Sequence, residues 1–582
     1  MKPLPAPENV PAMARPDAPA TPDWAKDAVW YQVFPERFRN GAAQSNPKEE
    51  DIATHSVPGW HVSPWGMQWY ALDDWEWAGS DAAGRSVFLR RFGGDLVGLR
   101  EKLPYLQELG ITALYLNPVF MAASLHKYDA TSYHHIDPTL GPDREGDLRA
   151  LAKAGETENP ATWIWTAADR FFLELVADVH ARGMRLIIDG VFNHSGTRCF
   201  AFEDIRKNGP ASRYRDWYIT TNWDDGILDY DAWDGPNGSL PNFGRTDDTL
   251  NPGIKQYLFD ITRRWMDPSG KGRPQEGIDG WRLDVAYCLP HTFWREWHAH
   301  VRAINPDAYT TAEVFGETEQ WVRPDEFAGV MNYEWLFHTL SFLTPHPDAI
   351  GAAEFRRRMN RLYARHAPGS LLLLQNLLDS HDTGRILTML ESACPPFADW
   401  NTYFTWAKAD DNPAVKTQAP SAEAKRRLML AAVWQFTGPG APMIYYGTEV
   451  GLWGANDPDD RQPMLWPDLP ADPETLGPRG RLDVQTPRAP DPALFRWYQT
   501  LIRLRKQLLP LRRGAFQWLA SANEDTLVYE RRFADERLIG VLNKGERAAP
   551  LPALTGDLDV LLGGVDMAGE IPPSSCLLLR LR

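Results

Sequence analysis

The sequence predicts an α/β fold: a (β/α)8 TIM barrel with a small inserted domain after the third strand and a C-terminal all-β sandwich. Three observations carry this. A helix, a glycine and a buried strand follow one another repeatedly, the signature of a parallel α/β architecture. Four apolar, strand-like runs end in residues of catalytic type: LIIDGVFNH (186–194), GWRLDVA (280–286), TTAEVF (310–315) and LLDSHD (377–382). These polar ends are spread over most of the strands. A doubly wound sheet would collect them at one switch point, so the closed barrel is the better fit.

Residues 1–26 are rich in Pro and Ala and are expected to be disordered or extended. The barrel occupies 27–191 and 254–510, with strands near 29–34, 113–117, 185–189, 280–284, 310–313, 329–333, 372–378 and 443–446. Before the second strand, LREKLPYLQELG ends at Gly110. Before the third, TAADRFFLELVADVHARG sets Phe172, Leu175, Val176 and Val179 on one helical face. Gly183 then suits a left-handed cap. Residues 192–253, rich in Asp, Asn, Gly, Trp and Tyr, break the rhythm and read as the inserted domain. Asp491 and Pro492 give the last barrel helix a cap and a first residue. From 511 to 582, short runs such as TLVYERRF, RLIGVLN and SCLLLRLR alternate with turns, as in a β-sandwich.

The length of 582 residues implies two or three domains. The net charge of −16 argues against a nucleic-acid partner, which would require basic stripes. No stretch resembles a membrane span or a signal peptide, so no membrane partner is expected. Cys199, Cys288, Cys394 and Cys576 show no metal-binding spacing and read as free thiols of a cytoplasmic protein. The 25 Trp, 24 Phe and 19 Tyr suit either a large barrel core or the apolar faces of sugar rings.

Asp284, Glu313 and Asp382 fall at strand ends, and retaining glycoside cleavage needs two such carboxyls, one ionised and one protonated. Arg282, two residues before Asp284 on the same strand face, can hold Asp284 ionised. Glu313 sits among Ala312, Val314 and Phe315, a setting that can raise its pKa by desolvation.

At these segments, and at AVWYQVFPERF, HKYDATSYHHIDPTLG and NDPDDRQPMLW, the chain resembles the α-amylase family (glycoside hydrolase family 13), most of all its neopullulanase, cyclomaltodextrinase and maltogenic amylase branch. The resemblance implies Asp284 as nucleophile, Glu313 as general acid/base and Asp382 as the carboxylate that stabilises the transition state. It implies that His194 and His381 bind sugar hydroxyls, that Tyr128 stacks on the reacting glucose, and that Asp457 and Arg461 hold the next sugar. Asp189 would orient the site. No cofactor is required for the chemistry. A structural calcium near the first strand would use Asn40, Asn46, Gly93 and Asp95, although the Asn-rich loop lacks the expected Asp.

The chain also departs from the family. The third motif usually reads GE-x-W, and here it is Ala312–Glu313–Val314–Phe315. Asp284–Val285–Ala286–Tyr287–Cys288 stands where the branch shows DVANE, the Lys-His pair of many endo-amylases is absent, and LPNF (240–243) matches MPKLN only in part. The barrel begins near Asp27, which implies a monomer, or a dimer not built on an N-terminal β domain. Segments 146–166 and 394–424 are candidates to wall the cleft.

Three functions compete. One is hydrolysis of α-1,4-glucosidic bonds in maltodextrins, cyclodextrins or pullulan. The second is transglycosylation or trehalose-forming isomerisation on the same residues, which product analysis separates. The third is a non-catalytic sugar-binding barrel, which usually lacks one of the carboxylates.

Overall fold

The computed structural model describes residues 22–52, 57–79, 86–223, 228–246, 248–397, 399–551, 554 and 556–581. Eight parallel strands form one sheet: β1 (Trp30–Val33), β2 (Ala113–Leu116), β3 (Arg185–Gly190), β4 (Gly280–Leu283), β5 (Tyr309–Ala312), β6 (Gly329–Val330), β7 (Gln375–Leu377) and β8 (Ala441–Tyr445). Their order is β6-β5-β4-β3-β2-β1-β8-β7. A parallel bridge between Met331 and Gln375 closes the ring, supported by Asn332 N donating to Gln375 O at 2.9 Å. All residues of β2, β4 and β5 are buried, as expected for strands covered on both faces.

Each crossover helix is specified locally. Helix α1 (Leu103–Leu109) ends on Gly110, at φ 99°. Helix α2 (Ala167–Ala181) starts with a capping box between Thr166 and Asp169 and buries Phe172, Leu175, Val176 and Val179. Such apolar side chains contribute roughly 1.5–3 kcal/mol each when buried. Gly183 follows at φ 71°. Helix α3 (Pro252–Met266) connects β3 to β4 and α4 (His291–Ile304) connects β4 to β5, α5 (Tyr333–Leu343) and α6 (Ala352–Ala364) follow β6, and α7 (Ala422–Thr437) precedes β8. In α8 (Pro492–Gln507), Asp491 Oδ1 accepts from the amides of Ala493 and Leu494. No helix occurs between β5 and β6, where 313–328 run as turns and bends.

Three expectations need correction. The sixth strand stops at Val330 rather than 333, because Asn332 caps α5: its Oδ1 accepts from Trp335 N. The seventh covers only 375–377, since 368–371 form a helical turn. The expected disorder of 1–26 falls largely on residues 1–21, outside the described residues. Asp23–Lys26, however, form a helical turn, with Ala25 buried and Trp24 Nε1 donating to Asp307 O at 2.9 Å.

Segment 192–253 leaves the end of β3 as helix Phe200–Asn208 and a hairpin of Thr220–Asn222 with Asp229–Tyr230. It returns through antiparallel bridges that set Asn242 against His194 and Phe243 against Tyr218.

The C-terminal part is an antiparallel sheet of β9 (Ala515–Trp518), β10 (Thr526–Phe533), β11 (Glu536–Asn543), β12 (Leu558–Gly563) and β13 (Ser575–Leu581), ordered β9-β10-β11-β13-β12. Alternation divides its faces. Leu527, Tyr529, Leu538 and Leu542 join the barrel core, whereas Val528, Ile539, Val541 and Leu579 form an outer cluster with Ile571. The expected second sandwich layer is thus reduced to a two-stranded pair, Ala549–Pro550 with Glu570–Ile571. Gly540 is required by close packing, as a Cβ there would lie 2.3 Å from the Tyr529 ring.

Candidate active site

Adjacent strands deliver two carboxyls side by side. Leu283 and Ala312 are paired at the ends of β4 and β5, so the next residues, Asp284 and Glu313, emerge together. One guanidinium holds both: Arg282 Nη1 lies 3.0 Å from Asp284 Oδ1, and its Nη2 contacts Glu313 Oε1. Nη1 also meets Asp189 Oδ1 at 2.8 Å. Asp189, at the end of β3, accepts in addition from Tyr115 OH at 2.7 Å and Tyr128 OH at 2.9 Å. Asp189 thereby ties Arg282, Tyr115 and Tyr128 together.

The turn after β4 is strained. Val285 adopts φ 38°, a conformation that costs a β-branched residue about 1–3 kcal/mol. It aims Val285 N at Glu313 Oε2, at 3.0 Å.

Asp382 follows β7 and meets His381 Nε2 at 3.1 Å and Arg461 Nη2 at 3.3 Å. Arg461 also pairs with Asp457 at 3.0 Å and donates from Nε to His381 O at 2.8 Å. Tyr128 lies parallel to His381, with ring centroids 5.6 Å apart, and its OH is 2.5 Å from His381 Nε2. His194 Nδ1 is 3.1 Å from Asn193 Nδ2. Asp284, Glu313, Asp382, Tyr128, His194, His381, Asp457 and Arg461 all line one cleft of about 810 Å³. Arg282 lies fully buried beneath it.

Burial dominates the electrostatics. It pushes Glu313 up to about 7, opposed by Arg282 and reinforced by Asp284. Asp284 is expected from the sequence to stay ionised through Arg282. In the structure burial outweighs that pairing, and its carboxyl also rises to about 7. Asp382 is raised well above the carboxylate range by burial and by Glu313. Burial lowers His194 to about 4 and holds His381 well below its usual value, so both rings are neutral near pH 7. The site therefore offers carboxyls that exchange protons near neutrality, a buried cation, and two uncharged imidazoles suited to hydroxyl groups.

Several cleft residues carry no clear sequence signal. Trp233, half exposed, stands 6.1 Å from the His194 ring. Tyr287 packs edge-on against Phe315. Gln32, inside an apolar strand, bridges Asn117 and His381 at 3.0 and 2.9 Å; an amide in a strand otherwise buried and apolar is the cue that could have found it. Of the two segments considered as walls, 394–424 supplies Asp399, Trp400, Asn401 and Phe404 to the cleft, whereas 146–166 supplies nothing. The latter is held elsewhere: His135 bridges Glu156 at 2.7 Å and Asp169 at 2.8 Å, and Trp163 stacks on His134.

The calcium candidates do not form an oxygen cage. Asp95 caps the helix Leu96–Glu101, accepting from Gly98 N at 2.6 Å, and also from the amides of Gly41 and Ala42. Asn40 donates to Asn46 Oδ1 at 2.8 Å. A Cβ on Gly93, at φ 73°, would lie 2.4 Å from Asn46 Oδ1. Burial pushes Asp95 up to about 6. These oxygens serve N–H donors, and a hard cation wants six or more oxygens facing inward.

A barrel with such a carboxylate cluster at its strand ends has the architecture of the (β/α)8 glycoside hydrolases. The comparisons with known proteins narrow the class. The profile described as "Alpha amylase, catalytic domain" matches residues 32–158 and 167–514. Neopullulanase 2 of Thermoactinomyces vulgaris is 34% identical over 539 residues, covering 91% of this chain and 72% of that protein. Cyclomaltodextrinase of Geobacillus thermopakistaniensis is 32% identical over 548 residues, covering 93% and 73%. Among solved structures, the cyclic alpha-maltosyl-(1-->6)-maltose hydrolase of Arthrobacter globiformis superposes with a TM-score of 0.69 at 29% identity, covering 96% of this chain and 99% of that one. The chain belongs to the alpha-amylase family, in its neopullulanase and cyclomaltodextrinase branch. Among the described residues, no helix is long and apolar enough to cross a membrane.

Proposed function

We propose that this glycoside hydrolase cleaves α-1,4-glucosidic bonds of maltodextrins, cyclodextrins or pullulan with retention, through a covalent glucosyl-enzyme intermediate. The observation that carries the reading is the single guanidinium of Arg282, which binds Asp284 and Glu313 on adjacent amino groups at the floor of the cleft. Retention requires two carboxyls about 5–5.5 Å apart, and inversion a wider gap that admits a water. Both carboxyls on one guanidinium favour the narrow spacing.

In the first step, ionised Asp284 bonds to the anomeric carbon as Glu313 gives its proton to the departing glycosidic oxygen. In the second, Glu313 takes a proton from water, the water oxygen bonds to the same carbon, and Asp284 is released. Asp382 and the two neutral histidines bind hydroxyls of the reacting sugar, and Tyr128 faces its ring. Asp457 and Arg461 hold the neighbouring unit. The names of the relatives, which include a neopullulanase and a cyclomaltodextrinase, support the substrate class. The four unpaired cysteines support a reducing, cytoplasmic setting.

The test is a product profile on cyclodextrin, pullulan and starch, with the configuration of the first-formed anomer followed by NMR. Retained α-maltooligosaccharides are expected. β-Anomers would overturn the mechanism, and disaccharide isomers without net hydrolysis would transfer the site to an isomerase.

A further inference from the structure

Beside the cleft lies a second hollow of about 480 Å³, and the two share a wall that includes Phe315, Glu317, Asp399 and Trp400. Phe315 and Trp400 make its aromatic part, stacked with centroids 4.0 Å apart and planes 24° apart. Phe315 stands two residues beyond Glu313, the residue read above as proton donor to the departing oxygen, and both line the cleft. Tyr128 borders the first hollow only.

Trp400 is held in place. It opens the helix Trp400–Trp406, which Asp399 caps by accepting from Thr402 N at 2.8 Å. Beyond the other end, Ala407 O accepts from Asn456 N at 2.9 Å. The second hollow adds the Phe337 ring and the guanidinium of Arg361, which is two-thirds exposed and no nearer than 3.8 Å to Glu317. Aromatic faces ringed by hydrogen-bonding groups suit a pyranose, with its apolar C–H face and equatorial hydroxyls.

We propose that the substrate cleft continues across the Phe315–Trp400 stack into the second hollow, and that Trp400 is the platform for sugar units on the leaving-group side of an α-glucan. This rests on the α-glucan reading above. Segment 394–424 thereby supplies the indole that the third motif lacks at Phe315.

Two substrates test it. α-Maltosyl fluoride has a leaving group too small to reach the stack, whereas maltohexaose spans it. Trp400→Ala is expected to lower kcat/KM on maltohexaose about tenfold, the size of one aromatic contact, mainly through KM. Turnover of the fluoride should stay within about twofold, and Trp400→Phe should recover most of the loss. Arg361→Ala, at an exposed side chain that puts folding at little risk, should weaken maltohexaose alone. Equal losses on both substrates, or unchanged maltohexaose kinetics in both Trp400→Ala and Arg361→Ala, overturn the proposal while leaving the α-glucan reading intact. A wild type inert on both substrates overturns that reading, and this inference with it.

Discussion

Glu313 and Asp284 share Arg282, and each is pushed to about 7 by burial. Their titration therefore belongs to the pair, and the proposed mechanism requires one proton between them. The expected pH profile of kcat/KM is a bell centred near neutrality. Measured with α-maltosyl fluoride, Glu313→Gln should lose the alkaline limb, because the group that must stay protonated for attack is then absent as a titrating partner. On natural oligosaccharides, Glu313→Gln and Asp284→Asn should each cut kcat by about 10²-fold or more; turnover near that of the wild type in either would remove the assigned role. Stability should move the other way. A carboxyl with a raised folded-state pKa keeps a proton that the unfolded chain loses between about pH 4.5 and 7. Stability thus falls as pH rises through that window, and the full penalty stands above pH 7. Its upper bound is roughly 3 kcal/mol, from about 1.36 kcal/mol per pH unit. Glu313→Gln should accordingly melt above the wild type at pH 8, with the difference vanishing near pH 4 in a calorimetric series.

At the level of elements, what was legible followed from local chemistry. Strand-like runs buried on both faces marked β2, β4 and β5, and Asp491, Gly110 and Gly183 marked helix ends through a side-chain acceptor or a left-handed backbone. The end of the sixth strand was not legible. Asn332 reads equally as a strand residue or as a cap, and only the packing of α5 decides between them. Asp284 and Glu313 were legible because each directly follows its strand, whereas Asp382 lies five residues beyond the end of β7 and was legible through the LLDSHD run. Trp400 was not, since its contact with Phe315 joins segments remote in sequence and stacking leaves no periodic trace. Asp95 illustrates a third case: the turn was recognised, yet its oxygens are committed to amides of residues 41, 42 and 98. Chelation with EDTA is therefore expected to leave the melting temperature unchanged, and a fall of several degrees reversed by calcium would show that the loop rearranges around the ion.

For the whole molecule, the core runs without interruption from the barrel into the inner face of the C-terminal sheet. Tyr529 is the joint: its hydroxyl lies 2.5 Å from Thr437 Oγ1 at the end of α7, and Arg531 donates to Thr437 O at 2.8 Å. Heat is thus expected to unfold barrel and sheet in one calorimetric transition, and two resolved peaks would show that they are energetically separate.

The ring of strands is not equally strong around its circumference. Between β6 and β7 it is joined by one bridge, the backbone amide of Asn332 and the Asn332 Nδ2 donating to Asn376 Oδ1 at 2.9 Å, beside a crossover that runs without a helix. If the cylinder breathes, it opens along that seam, where Met331 Sδ lies 3.4 Å from Arg282 Nε, so the least reinforced stave of the barrel stands beside the cation that holds Asp284 and Glu313 together.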